Sequence, residues 1–308
     1  EETGEPDSEG ASMKVIDTSK ESLDIFAAGQ FDLRKWEHYI DKAVPGAKEL
    51  CLDGMRKCIC AGFSWEDDYL PILNAMICDE EKREQVLASF SKVTEQLDAK
   101  IIGIFHRDID VDVILYLGLC NAAGRVTMIH GRRVILLGIE KIMELNWCDI
   151  NSMTGLIIHE LGHVYQAQYG VMDLQTDSVA DQFLWQLFTE GVAMVFEQKV
   201  MGDPEYFHQG NCEWKNWCRQ NIKLIKHSFV NDLKTMTHEN QRYFGDWVRF
   251  YGYGDTGYYL GTVFVRYLLQ YDEFDQIIQY RIHEVRKYLN SFSMQAILRA
   301  FCAKIRTF

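Results

Sequence analysis

Apolar residues recur at helical spacing through most of the first hundred positions. Phe31, Trp36, Tyr39 and Ile40 form one stripe, and Val86, Leu87, Phe90, Val93 and Leu97 form another. Pro45-Gly46 ends the first of these helices, and Asp79 stands where an N-cap for the second belongs. The character changes near residue 100. Ile101 to Phe105 and Val111 to Leu119 are short runs rich in β-branched residues. Val126–Ile129 and Val134–Leu137 flank His130-Gly131-Arg132-Arg133 and read as a hairpin. The pattern predicts a small, mostly antiparallel sheet over residues 101–139. Helical periodicity returns at Asn151–Tyr169 and at Asp177–Met201, the latter opened by Thr176 or Asp177 and closed by Gly202. Residues 214–240 read as helix. A glycine-rich loop, Tyr251 to Gly257, then leads into a helix over 258–271, and one or two more follow. Helices, then strands, then helices define an α+β class that is mainly helical. The expected organisation is a disordered or tag-like segment at 1–12, a helical region at 13–99 and a domain at 100–308. That domain contains the sheet, the helical pair at 151–201 and the helices at 214–308.

Composition narrows the function classes. The chain has 308 residues, enough for one large domain or two moderate ones. Thirty-two Lys and Arg against 45 Asp and Glu leave a net charge of −13, which repels a phosphate backbone and argues against nucleic acid as a partner. No run approaches the ~18 apolar residues of a membrane span, and no signal peptide is visible. The 9 Cys cannot all pair within one chain, and several sit in apolar runs such as Ile77-Cys78 and Gly118-Leu119-Cys120. Reduced thiols in a cytoplasmic protein are the expectation, with an extracytoplasmic location after signal removal as the alternative. Cys58-Ile59-Cys60 has one intervening residue rather than two, so thiolates are not the expected metal ligands.

The chemistry concentrates in Leu156-Ile-Ile-His159-Glu160-Leu-Gly-His163. Four helical residues turn through about 400°, so His159 and His163 project from nearly one face, one turn apart. Two imidazoles in that register fill two tetrahedral positions of a single zinc ion. Glu160 reaches a water on the metal without taking a coordination position, as a general base must. A third ligand is needed from a neighbouring element, and the next helix offers Glu190 in Thr189-Glu190-Gly191-Val192. Gly191, in mid-helix, costs about 1 kcal/mol relative to Ala. A close helix contact beside the metal would account for it, and Gly162 leaves similar room on the first helix.

At these residues the chain resembles the gluzincins, the thermolysin-like zinc peptidases: His-Glu-x-x-His on one helix and Glu on the next. It is similar in more detail to bacterial proteins described only as predicted zinc-dependent proteases, through Gly138-Ile-Glu140, Thr189-Glu-Gly-Val-Ala193 and Tyr258-Tyr-Leu-Gly261 over roughly residues 100–275. The resemblance implies a zincin-like fold with a small sheet packed on the active-site helix, one Zn²⁺ per chain and a peptide or protein substrate. It also implies a tyrosine that donates to the oxyanion near residue 258. Spacing to Gly261 favours Tyr258, with Tyr259 the alternative. An edge strand that pairs with substrate backbone would come from Arg132–Gly138 or Gly124–Ile129. Thermolysin-like enzymes carry an Asp four residues after the Glu ligand to orient a metal histidine, whereas Met194 stands here. A substitute must come from elsewhere. Asp181 and Glu197 are the candidates, although Gln198-Lys199 beside Glu197 points to solvent. His106, His130, His208, His227, His238 and His283 are scattered and read as surface or hydrogen-bonding residues.

The sequence therefore predicts a zinc metallopeptidase with His159, His163 and Glu190 as ligands, Glu160 as base and Tyr258 as oxyanion donor. The alternative is a non-catalytic peptide-binding or regulatory protein on a degenerate peptidase fold.

Overall fold

Strands β4 (Val111–Tyr116) and β6 (Arg132–Gly138) are buried along most of their length, and each carries an unbroken apolar run, Val113–Tyr116 and Val134–Leu137. Such runs belong to strands covered on both faces, which is the habit of parallel pairs. These two are parallel, in register from Asp112↔Val134 to Tyr116↔Gly138. β1 (Met13–Asp17) lies parallel on the other side of β4. β5 (Gly124–Ile129) pairs antiparallel with β6 and forms one edge, giving the order β1-β4-β6-β5. The sheet is thus mixed rather than mostly antiparallel, and it does not begin at residue 101. Ile101 to Phe105 lie in α6 (Leu97–Phe105): Leu97 and Ile101, one turn apart, are buried, while Ile102 and Ile104 face solvent. The hairpin matches expectation. His130 and Gly131, at φ 50° and 79°, form the two-residue turn whose twist suits its strands.

The computed structural model describes residues 13–305 apart from residue 246, so the segment 1–12 lies outside the described residues. They fall into two compact units that divide between Glu160 and Leu161, inside one helix. Besides the four strands and α6, the first unit contains α1 (Ser19–Ser22), α2 (Leu33–Ala43), α3 (Lys48–Cys60), α4 (Leu70–Cys78), α5 (Glu80–Thr94) and α7 (Ile139–Glu144). A separate antiparallel pair, β2 (Phe26–Ala27) and β3 (Gln30–Phe31), precedes α2. β1 and β4, from either side of residue 100, share a sheet. α8 (Ile150–Tyr169) runs from the first unit into the second. The second continues with α9 (Val179–Met201), α10 (Cys212–Asp232), α11 (Thr256–Leu268), α12 (Phe274–Ile277) and α13 (Ile282–Ile305). No described helix is long and apolar enough to cross a membrane.

The loop between β4 and β5 is held by Glu140, in the first turn of α7. Its Oε2 accepts from the Gly118 N–H at 3.0 Å and its Oε1 from the Cys120 N–H at 3.1 Å. Burial lifts the Glu140 carboxyl from its ordinary 4.5 to about 7, against the lowering pull of those N–H groups. A carboxyl raised on folding binds more protons in the folded than in the unfolded chain between those two values. Its contribution is therefore complete below pH 4.5 and is lost as pH rises through 7. The loss is on the order of 3 kcal/mol. Urea unfolding at stepped pH is expected to show stability falling across this window, and Glu140→Gln is expected to flatten that slope. An identical slope in parent and variant would exclude Glu140 as its source.

Candidate metal centre

α8 is buried on all sides from Gly155 to Gln166, and α9 is buried over most of its second half. Helices apolar all round belong inside a protein. Asp149 caps the start of α8, its Oδ1 accepting from the Asn151 and Ser152 N–H groups at 2.9 and 3.1 Å. Ser178, rather than Thr176 or Asp177, caps α9, accepting from the Asp181 N–H at 3.3 Å. The two helices meet at Gly162, where a Cβ would stand 2.8 Å from the Ala193 Cα. Only glycine permits that approach. His163 follows the contact on α8, and Glu190 precedes Ala193 by one turn of α9. His163 Nε2 and Glu190 Oε2 lie 3.3 Å apart as a result. His159 is one turn back along the unbroken helix α8. One ligand atom from each of His159, His163 and Glu190 lies within 4.8 Å of the others.

The donor set fits zinc. Two ligand atoms each ~2.0–2.1 Å from one zinc are about 3.3–3.4 Å apart in a tetrahedron, which is the separation His163 and Glu190 already hold. His159 and His163 are buried, and the facing His163 and Glu190 side chains keep 10% and 15% of their surface exposed.

Glu160 lies beside His159 and is 7% exposed. A Cβ at Gly124, the first residue of edge strand β5, would stand 2.7 Å from its Oε1. The edge of the sheet thus begins at the Glu160 carboxylate. Of the two strands expected at the edge, Arg132–Gly138 lies inside the sheet, between β4 and β5.

Gly191 packs against α11 rather than α8. A Cβ there would stand 2.3 Å from the Gly261 carbonyl oxygen, and a Cβ on Gly261 would stand 2.5 Å from that of Leu187. The two backbones therefore touch directly next to Glu190. Tyr258 sits one turn before Gly261 and is half-buried, its ring 5.9 Å from that of Phe244. Tyr259 is 8% exposed and stacks on Phe207 at 5.3 Å, with Trp214 edge-on at 5.9 Å. It belongs to the aromatic core of this unit.

Beyond these three residues, Asp181 pairs with Arg286. Glu197 is wholly buried, not solvent-facing, and both its oxygens are 3.0 Å from His208 Nδ1. Sequence reasoning missed the burial of Glu197 and His208, and it missed Gly124. The signal for Glu197 was available: it lies seven residues, two turns, past Glu190 and so faces the same way. His227 hydrogen-bonds Asn231 near the end of α10, and the His238 ring lies 5.3 Å from that of Phe183. No protein-family model, curated protein or solved structure matches this chain.

Proposed function

We propose that this chain is a zinc-dependent peptidase of the gluzincin type on a zincin-like fold. The observation that carries this reading is the His163–Glu190 separation of 3.3 Å, with His159 one turn away on the same helix. The placement of Glu160 gives it a catalytic direction, since a closed structural site has no use for a further carboxylate beside its ligands.

When bound, zinc supplies Lewis acidity to a water and to the scissile carbonyl. The chain's own residues do the rest. Glu160 takes the proton of the attacking water and returns it to the leaving amine. Tyr258 donates its phenolic O–H to the oxyanion. The outer edge of β5, which begins beside Glu160, offers backbone groups to an extended peptide.

Metal analysis after dialysis against zinc is expected to give one zinc per chain. Glu190→Ala and His163→Ala are each expected to lose the metal, while a change at His227, away from the centre, keeps it. Full zinc occupancy in the Glu190→Ala protein would overturn the ligand assignment.

A further inference from the structure

Away from the metal centre, the first unit gathers two thiols and a phenol. The segment between β4 and β5 lies along one face of α3. Asn121 Nδ2 donates to the Cys51 carbonyl at 3.0 Å, and a Cβ at Gly54 would stand 2.3 Å from the same nitrogen. Cys51, Gly54 and Cys58 follow one another at three and four residues, so they share that face of the helix. Glycine inside a helix costs stability relative to alanine, and here the Asn121 amide occupies the room it leaves. Cys120 stands one residue before Asn121, and Cys58 stands one turn beyond Gly54. The two thiols interact with each other, and both act on the hydroxyl of Tyr69, which is buried immediately before α4.

Cys120 is held from a second side as well. Its N–H donates to Glu140 Oε1 at 3.1 Å, and its backbone is left-handed, at φ 54°. That conformation suits glycine and strains a residue with a side chain, so it persists only where its surroundings impose it. The two thiols differ in access. Cys58 is exposed, whereas Cys120 is half-buried and burial pushes its thiol up. An open thiol beside a sheltered one is the arrangement of an attacking cysteine and its resolving partner. Cys51 does not compete for either role, since it is buried with its Sγ 3.8 Å from the Tyr116 hydroxyl. Cys60, two residues past Cys58, projects from the other side of α3.

We propose that Cys58 and Cys120 form a reversible redox pair, oxidised to a disulfide by low-molecular-weight disulfides and reduced again by thiols. The thiolate of Cys58 attacks one sulfur of the small disulfide and expels the other as a thiolate, leaving a mixed disulfide. Cys120 Sγ, its proton lost to solvent, then attacks Cys58 Sγ and expels the second small thiol. Two protein thiols are oxidised, and one small disulfide is reduced to two thiols. The link fastens to α3 the segment that leads into β5, with Cys120 four residues before Gly124 and the Glu160 carboxylate beside it. It requires no metal and stands independently of the zinc reading.

The test is incubation of the full chain with oxidised glutathione, followed by mass spectrometry of the intact protein and of its proteolytic peptides. The parent is expected to lose both thiols to a cross-link between the peptides that carry Cys58 and Cys120, and to recover them with dithiothreitol. Amide hydrogen exchange in residues 117–123 is expected to slow in the oxidised form, as a fastened segment opens less often. Cys58→Ser and Cys120→Ser are each expected to abolish the cross-link and the slowing. Cys60→Ser, a change to another exposed thiol on the same helix, is expected to keep both. If Cys120→Ser does not fold, Cys58→Ser, at an exposed position, carries the test. Glutathione attached to Cys58 with no cross-link to Cys120, or a cross-link that joins Cys58 to a different cysteine, would overturn the pair. A Cys58–Cys120 link that leaves exchange in 117–123 unchanged would overturn the fastening.

Discussion

Glu160→Gln is expected to leave zinc bound and to lower peptide hydrolysis by about 10²–10⁴-fold, the range for removing a positioned general base. The amide fills the same space on α8 and cannot accept the proton of the attacking water. Glu160 is 7% exposed and sits against the start of β5, where Gly124 leaves room for its carboxylate. A neutral side chain of equal size disturbs neither neighbour. His159 and His163, two of the proposed ligands, lie on either side of it in sequence and keep their helix. Zinc content, melting temperature and kcat measured on one preparation separate this outcome from unfolding. Near-normal turnover in the variant would show that another group takes the proton.

Tyr258→Phe is expected to lower kcat by about 10²–10³, equivalent to roughly 2.7–4 kcal/mol of transition-state stabilisation, with KM and zinc content little changed. The neighbouring tyrosine supplies the control. Tyr259 is enclosed by Phe207 and Trp214, and burial raises its hydroxyl above the ordinary tyrosine range. It is therefore a packing residue, and Tyr259→Phe is expected to be mild. Tyr258 keeps partial exposure at the start of α11, directly after the glycine-rich loop. A loop of that kind is where a segment closes over a bound peptide. A large kcat effect at Tyr259 with none at Tyr258 would reverse the assignment. If neither mattered, the oxyanion donor would have to be sought elsewhere, and Arg249 is a remaining candidate.

The helices that carry the centre were legible in the sequence because their signals are local. α8 begins one residue before its expected start and ends where expected, and Gly202 closes α9 at φ 67°. His159 and His163 share a face by helical geometry alone. The sheet was less legible because its pairing is long-range. β1 carries little apolar pattern, with Val15 among the exposed residues, and nothing near residue 13 announces a partner at residue 111. The β-branched run at 101–105 misled because the buried pair in α6 is Leu97 with Ile101, and the two later isoleucines simply face water. Glu197 was misread for a related reason. Its burial depends on a loop that returns over α9 and brings His208 with it, and the charged neighbour Lys199 faces solvent while Glu197 does not.

The central claim, a zinc-dependent peptidase, is tested most directly by digesting a peptide library with the zinc-loaded chain and reading the products by mass spectrometry. Parallel digests contain a zinc chelator or the Glu160→Gln protein. The account predicts new peptide termini that vanish with chelator, return when zinc is restored and do not form with Glu160→Gln. A zinc-loaded chain that binds peptides and cleaves none would contradict it and favour a binding protein on a degenerate fold, as would cleavage unaffected by both chelator and Glu160→Gln.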